Sequence, residues 1–170
     1  MNILIIKIGA LGDVVRSSFL AQALKEKYKE NNPKIFWVTG EKAKILFINN
    51  PYIDRVLSDT DKAELNNISF DLVINLEEDK ENCEFVSYLN KKKIIGAFAN
   101  EDKEIDYTKE SAYWFDMSII SKLGKEKADI LKKSNKKTHR QIIGEMVGVD
   151  WEIYEPFLRL TDKQREIASD

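Results

Sequence analysis

The sequence predicts a doubly wound α/β fold, a parallel β-sheet with helices on both faces. Three observations lead to it. Short, almost wholly apolar runs recur along the 170 residues. Segments with a helical apolar stripe stand between them, and no Pro/Gly/Ser-rich linker or internal repeat divides the chain. Strands that alternate with helices at such spacings form right-handed βαβ units.

Residues 2–8 are Ile-rich and bounded by Gly9, as befits a central strand buried on both faces. From Asp13 onward, Val14, Val15, Ser18, Phe19, Ala21, Gln22 and Leu24 mark a helical stripe. It ends in the lysines of residues 25–29, where cations suit the helix dipole. Pro33 precedes a second strand at 35–38, Gly40 opens a helix through Ala43, Leu46 and Phe47, and the Asn49-Asn50-Pro51 turn halts it. A short third strand is expected at 54–57 and a fourth at 71–76. An acidic start at 77–81 then leads into a helix carrying Cys83, Phe85, Val86 and Leu89, before a fifth strand at 93–97. Beyond Phe98 the pattern is mainly helical, over 111–123, 125–133 and 138–147. The architecture expected is a Rossmann-like parallel sheet over residues 1–160. Thr161 with Gln164 reads as a capping box, so residues 161–170 are expected to begin a connection to a further domain.

Composition narrows the function. Hydrophobic residues make up 43% and charged residues 33%, a globular profile. With 27 Lys and Arg against 29 Asp and Glu the net charge is -2, so nothing draws the whole chain to nucleic acid or anionic membranes and any anion binding is local. Cys83 stands alone, which excludes an internal disulfide and suits a reducing compartment; it reads as a small half-buried helix residue. His139 is the only histidine; it lies in a basic run and reads as exposed, and with Cys83 it makes no zinc set. Lys7 interrupts the first apolar run and no basic region precedes it, unlike a signal peptide or spanning helix.

The first strand-loop-helix junction, Gly9-Ala10-Leu11-Gly12-Asp13, lies where open α/β sheets bind ligands. Gly9 and Gly12 allow a sharp turn and close approach of a ligand. Leu11 replaces the second glycine of a dinucleotide fingerprint, and no Gly-Lys-Ser/Thr follows, so neither nucleotide motif is present. Asp13 has two readings from spacing, a helix N-cap and a general base at the sheet edge.

The stretches ILIIKIGALGDVVRSSFLAQALK, NPYIDRVL, FDLVINLEED, KIIGAF and YTKESAYWFDMSIISKLGKEKAD, in this order, resemble the N-terminal half of a glycosyltransferase family 9 protein. That is the family of the ADP-heptose:lipopolysaccharide heptosyltransferases. The resemblance covers residues 2–160 and implies half of a GT-B fold, in which this chain binds the acceptor and a C-terminal domain absent here binds the nucleotide sugar. It further implies Asp13 as catalytic base, a nucleotide-sugar co-substrate, no metal, and a glycan or glycolipid acceptor such as lipopolysaccharide core. A cytoplasmic setting with peripheral contact at the inner membrane face goes with that reading.

The loop Gly9, Ala10, Leu11 and Gly12 is expected to shape the acceptor site beside Asp13. Arg16, one turn into the helix, suits an anionic acceptor group or a surface ion pair. Glu77 and Glu78 follow a strand on the same sheet edge and suit acceptor hydroxyls or the next helix's N-terminus. Tyr107, Tyr113, Trp114 and Phe115 suit core packing or stacking on a sugar, with Trp114 the candidate ligand contact. Asp59-Thr60-Asp61 matches a metal-binding pattern of other glycosyltransferases, but the family resembled works without metal. Two basic runs, Lys91-Lys92-Lys93 and Lys132, Lys133, Lys136, Lys137 and Arg140, read as solvated faces or as contacts for an acidic lipid-linked acceptor. The alternative to an enzyme is a non-catalytic carbohydrate- or partner-binding module.

Overall fold

The computed structural model describes residues 1–159; the capping box at Thr161 and the connection expected over 161–170 lie outside them. Six strands, β1 (Asn2–Ile6), β2 (Lys34–Thr39), β3 (Arg55–Ser58), β4 (Leu72–Asn75), β5 (Ile94–Ala99) and β6 (Ile105–Tyr107), make one sheet in the order β3-β2-β1-β4-β5-β6. The first five strands pair in parallel. β6 runs antiparallel to β5, so the sheet is mixed rather than wholly parallel as expected.

β1 lies at the centre, and Ile3, Leu4, Ile5 and Ile6 have no exposed surface. The two-residue period sends Ile3 and Ile5 into a core with Phe19, Leu24, Trp37 and Ile74, and the buried Leu4 and Ile6 into another with Val38, Leu57, Phe70 and Val86. This is why the strand is continuously apolar. Each such burial contributes ~2 kcal/mol. The helices α1 (Leu11–Ser17), α2 (Phe19–Lys27) and α6 (His139–Val147) supply residues to the first core, and α3 (Lys80–Tyr88) with the 3-10 segment Asp59–Leu65 to the second. Helices α4 (Ala112–Phe115) and α5 (Lys125–Ser134) complete the set.

Gly96 is demanded by backbone geometry. Its φ is +117°, and a Cβ there would lie 1.9 Å from the carbonyl oxygen of Asn75 on β4. No side chain fits.

Three elements depart from the sequence reading. The helix expected from Asp13 divides at the buried Ser18, whose Oγ accepts a hydrogen bond from the Phe157 amide at 2.8 Å as the chain returns across the helices. The helix after Gly40 is the 3-10 segment Glu41–Phe47. The helix expected over 111–123 is only the four residues of α4 followed by turns. Here side chains compete for the backbone: Ser118 Oγ accepts from Ile120 N, Ser121 Oγ from Leu123 N, and Tyr107 Oη from Lys122 N. No described helix is long and apolar enough to cross a membrane.

Candidate active site

Lys7 follows β1 and is only 8% exposed, and a buried ammonium requires a counter-charge. Glu77 provides it. Its Oε1 accepts from Lys7 Nζ at 2.8 Å and from the amides of Ile8 at 2.7 Å and Gly9 at 3.4 Å. The wholly buried Asn75 fixes Glu77 in turn: its Oδ1 accepts from Glu77 N, and its Nδ2 donates to the Glu77 and Ala97 carbonyls. The loop after β1 is thus fastened to the end of β4, with Glu77 committed to building it.

Beyond this fastening α1 begins. Its N-cap is Ala10, whose carbonyl accepts from Asp13 N at 2.9 Å and Val14 N at 3.1 Å, and Ala10 has no side chain to cap the helix. Asp13 is therefore not the N-cap. It is the third helical residue, about a third exposed, and its carboxylate pairs with Arg16 one turn on. Neither Gly9 nor Gly12 has a positive φ, and a Cβ on either would meet nothing within 4 Å. The turn does not require these glycines; they leave open space beside it.

Asp13 lines a cleft of about 640 Å³ at the carboxyl ends of β1 and β4. Lys7, Leu76, Glu77 and Glu78 form its floor, Trp114 and the turn through Ile119 one wall, and α5 with Asn135 and Ile142 another. Of the predicted residues, Asp13, Glu77, Glu78 and Trp114 meet here. Gly9, Ala10, Leu11, Gly12 and Arg16 lie beside the cleft rather than in its lining.

Glu78 Oε2 and His139 Nδ1 are buried without a partner among the described residues, as is Thr39 Oγ1 at the carboxyl end of β2. Buried polar atoms normally find partners, and Glu78 lines the cleft. His139, read as exposed, is half-buried at the start of α6, with Trp114 against it edge-to-face at 5.3 Å between centroids. Burial above all, with Arg16 and Lys7 nearby and Asp13 opposing them, lowers its pKa to about 4. The imidazole is neutral at pH 7.

The other candidates are engaged elsewhere. Asp59 accepts from Lys62, and Asp61 accepts from Ser58 Oγ. No group of three or more metal-ligating side chains occurs among the described residues. The aromatic group divides: Tyr107 and Phe115 are core, Trp114 faces the cleft, and Tyr113 points outward beneath Lys137. Cys83 is fully rather than half buried on α3. Burial, with Asp79, Glu78 and Glu77 nearby, pushes its thiol up to about 12, so it is unreactive.

Lys7, Asn75, Lys125, Asp129, Asn135 and His139 escaped the sequence reading of the site. Lys7 alone carried a signal, because a charge inside a buried run implies a buried partner.

Fold and cleft together define an open α/β domain of the Rossmann type, with its candidate site at the carboxyl edge of the central strands. No family model and no curated protein matches the chain. Among solved structures, a glycosyltransferase family 9 protein from Veillonella parvula is similar over 99% of this chain and 48% of its own, with a TM-score of 0.64 and 16% identity. The E. coli heptosyltransferase WaaC, solved with ADP-2-deoxy-2-fluoro heptose, is similar over 92% of this chain and 51% of its own, with a TM-score of 0.50 and 16% identity. The chain thus spans about half the length of these structures. The fold expected from the resemblance to glycosyltransferase family 9 is present: a glycosyltransferase-like α/β fold.

Proposed function

We propose that the chain is the acceptor-binding half of a glycosyltransferase of the heptosyltransferase kind, with Asp13 as general base. The placing of Asp13 in the cleft that Glu78 also lines supports this most directly. In the reaction an acceptor hydroxyl oxygen forms a bond to the anomeric carbon of the donor, and its proton passes to the Asp13 carboxylate. The bond from that carbon to the diphosphate breaks, and its electron pair leaves on the nucleoside diphosphate. Glu78 accepts a second acceptor hydroxyl, and Trp114 packs on a sugar face. Arg16 orients the Asp13 carboxylate.

The nucleotide sugar, ADP-heptose or a close relative, is held by a second domain whose helix N-termini meet the charge of the leaving group. The acceptor is lipopolysaccharide core or a related glycan, met on the cytoplasmic side. No metal enters the scheme, since Asp59 and Asp61 are committed to Lys62 and Ser58.

The test is sugar transfer from ADP-heptose and other nucleotide sugars to core acceptors, by the chain in its native reading frame. Asp13→Asn should fold normally and lose at least about a hundredfold in rate. A mutant as active as the parent overturns the base assignment. Acceptor binding with no transfer by the parent favours a carbohydrate-binding module.

A further inference from the structure

After α6 the chain turns back along that helix, and residues 149–157 are fastened at each step. At the turn Lys27, the last residue of α2, donates to the carbonyls of Val147 and Gly148, both at 2.8 Å. Trp151 then lies so close to Gly144 that a Cβ on the glycine would collide with it, and Tyr154 packs beside it on the first core. The Arg140 guanidinium donates to the Tyr154 carbonyl at 2.9 Å, pairs with Glu155 and lies 5.9 Å from the centroid of the Trp151 ring. Phe157 closes the run. Its ring meets Tyr52 edge-to-face at 5.4 Å between centroids, and its amide donates to Ser18 Oγ at 2.8 Å. The segment is a strap.

This strap grips the two helices that carry Asp13 and His139. Arg140 stands next to His139 in the first turn of α6, and Ser18 directly follows α1, the helix of Asp13 and Arg16. α1 has little else to hold it. It is seven residues long, its buried residues are Val14 and Ser17, and its N-cap Ala10 offers no side chain. Ser17 Oγ is itself buried without a partner among the described residues. A helix this short has no stability of its own. Ser18 lies one turn beyond Val14 on the same stripe, ~7.5 Å along the axis from Asp13. Its bond to Phe157, 139 residues away in sequence, is therefore a fixed point from which the setting of α1 follows.

We propose that Ser18 and Arg140 are positioning residues, which through the strap hold α1 and the first turn of α6 so that Asp13 keeps its place in the cleft and His139 its contact with Trp114. Both grips are needed because they act on different helices. A reacting group displaced by ~1 Å loses on the order of a hundredfold in rate, so a hydrogen bond and an ion pair remote from the cleft govern what happens in it. The effect on rate rests on the reading of Asp13 as general base; the effect on the setting of the helices does not.

The experiment compares the 170-residue chain with two variants. Ser18→Ala removes the acceptor of the Phe157 amide without changing charge. Arg140→Gln frees the strap from α6 at a partly exposed side chain, which leaves the core intact. Lys92→Gln, at the opposite end of the sheet, is the control. In Ser18→Ala, amide hydrogen exchange at Val14, Val15 and Arg16 should quicken by about tenfold or more while the amides of β1 and β4 keep their protection. In both variants the His139 titration, followed by NMR, should move from about 4 towards 6.5 as water reaches the ring, which Arg16, Asp13 and Lys7 face. In the native reading frame both should lose about tenfold or more in kcat for sugar transfer, with the acceptor KM little changed. The control should alter none of these.

If both variants only melt lower, with α1 exchange and the His139 titration as in the parent, the strap is scaffold and the proposal fails. It fails equally if the parent transfers sugar and neither variant lowers kcat. Should Ser18→Ala not fold, Arg140→Gln decides by the same titration and the same kcat. A parent that transfers no sugar overturns the general-base reading instead, and exchange and titration still decide the role of the strap.

Discussion

The two ends of the sheet use the same ingredients differently. At the amino end, carboxylates are fully engaged: Asp71 accepts from Asn2 N at 2.8 Å and Lys92 at 2.7 Å, and Asp54 accepts from Ile35 N and Lys25, each at 2.7 Å. At the carboxyl end Glu77 repeats the motif with Lys7 and Ile8 N. Around it, however, Glu78 Oε2, His139 Nδ1 and Thr39 Oγ1 are buried without partners among the described residues. The carboxylates of the amino end are satisfied within the domain, although Asn50 Nδ2 in the turn before β3 is also buried without a partner among the described residues, whereas at the carboxyl end the unpartnered atoms include those beside the cleft. Ligand chemistry belongs where the domain's own groups leave it unfilled.

Removing the shared motif at the carboxyl end should have the largest effect. Glu77→Ala strands the buried Lys7 ammonium and releases the loop, and should cost about 3 kcal/mol in urea unfolding. A loss below about 1 kcal/mol would show that water reaches Lys7 freely.

Next is pH. His139 titrates near 4 in the folded chain and near its ordinary value of 6.5 when unfolded, so between those values the unfolded state binds more protons. Stability should therefore fall as pH drops from 6.5 towards 4, by up to ~3 kcal/mol. His139→Gln should flatten that part of a melting-temperature profile. A mutant profile parallel to the parent's would place the titration elsewhere.

The amino end should respond less. Lys92 and the Asn2 amide hold the Asp71 carboxyl below its usual range, so its contribution is present above about pH 4 and lost as pH falls below it. Because Lys92 is largely exposed, Asp71→Asn should cost about 1 kcal/mol, measurable by chemical denaturation at neutral pH.

Glu78→Gln should have the smallest effect on stability, within about 0.5 kcal/mol, because no partner is lost. Calorimetry should nevertheless show weakened acceptor binding. Destabilisation with unchanged binding would make Glu78 part of the scaffold.

Strands β1 to β5 were legible because β-branched runs bounded by turn residues leave few alternatives. β6 was not: three residues, Ile105–Tyr107, show no periodicity. The hairpin before it turns on Asn100 Oδ1, which accepts from the amides of Asp102 and Glu104, and on Lys103 at φ +62°, without a glycine to announce it. Residues 111–123 misled because helical spacing of aromatic residues says nothing of the serines that capture the backbone. At the site, Asp13 was visible as an acid after a glycine loop, but its place inside the helix depends on Ala10, a poor cap by composition. His139 reaches Trp114 through a tertiary contact, and no local pattern encodes that.

The central claim, that the carboxyl-end cleft is the ligand site, is tested most directly by an NMR titration of the 170-residue chain with a lipopolysaccharide-core oligosaccharide. Saturable shifts are predicted at Asp13, Glu78, Trp114, Asp129 and His139, with Asn2, Asp54 and Asp71 at the opposite end unmoved. Shifts gathered at the amino end, or none as the oligosaccharide is raised to millimolar concentration, would contradict it.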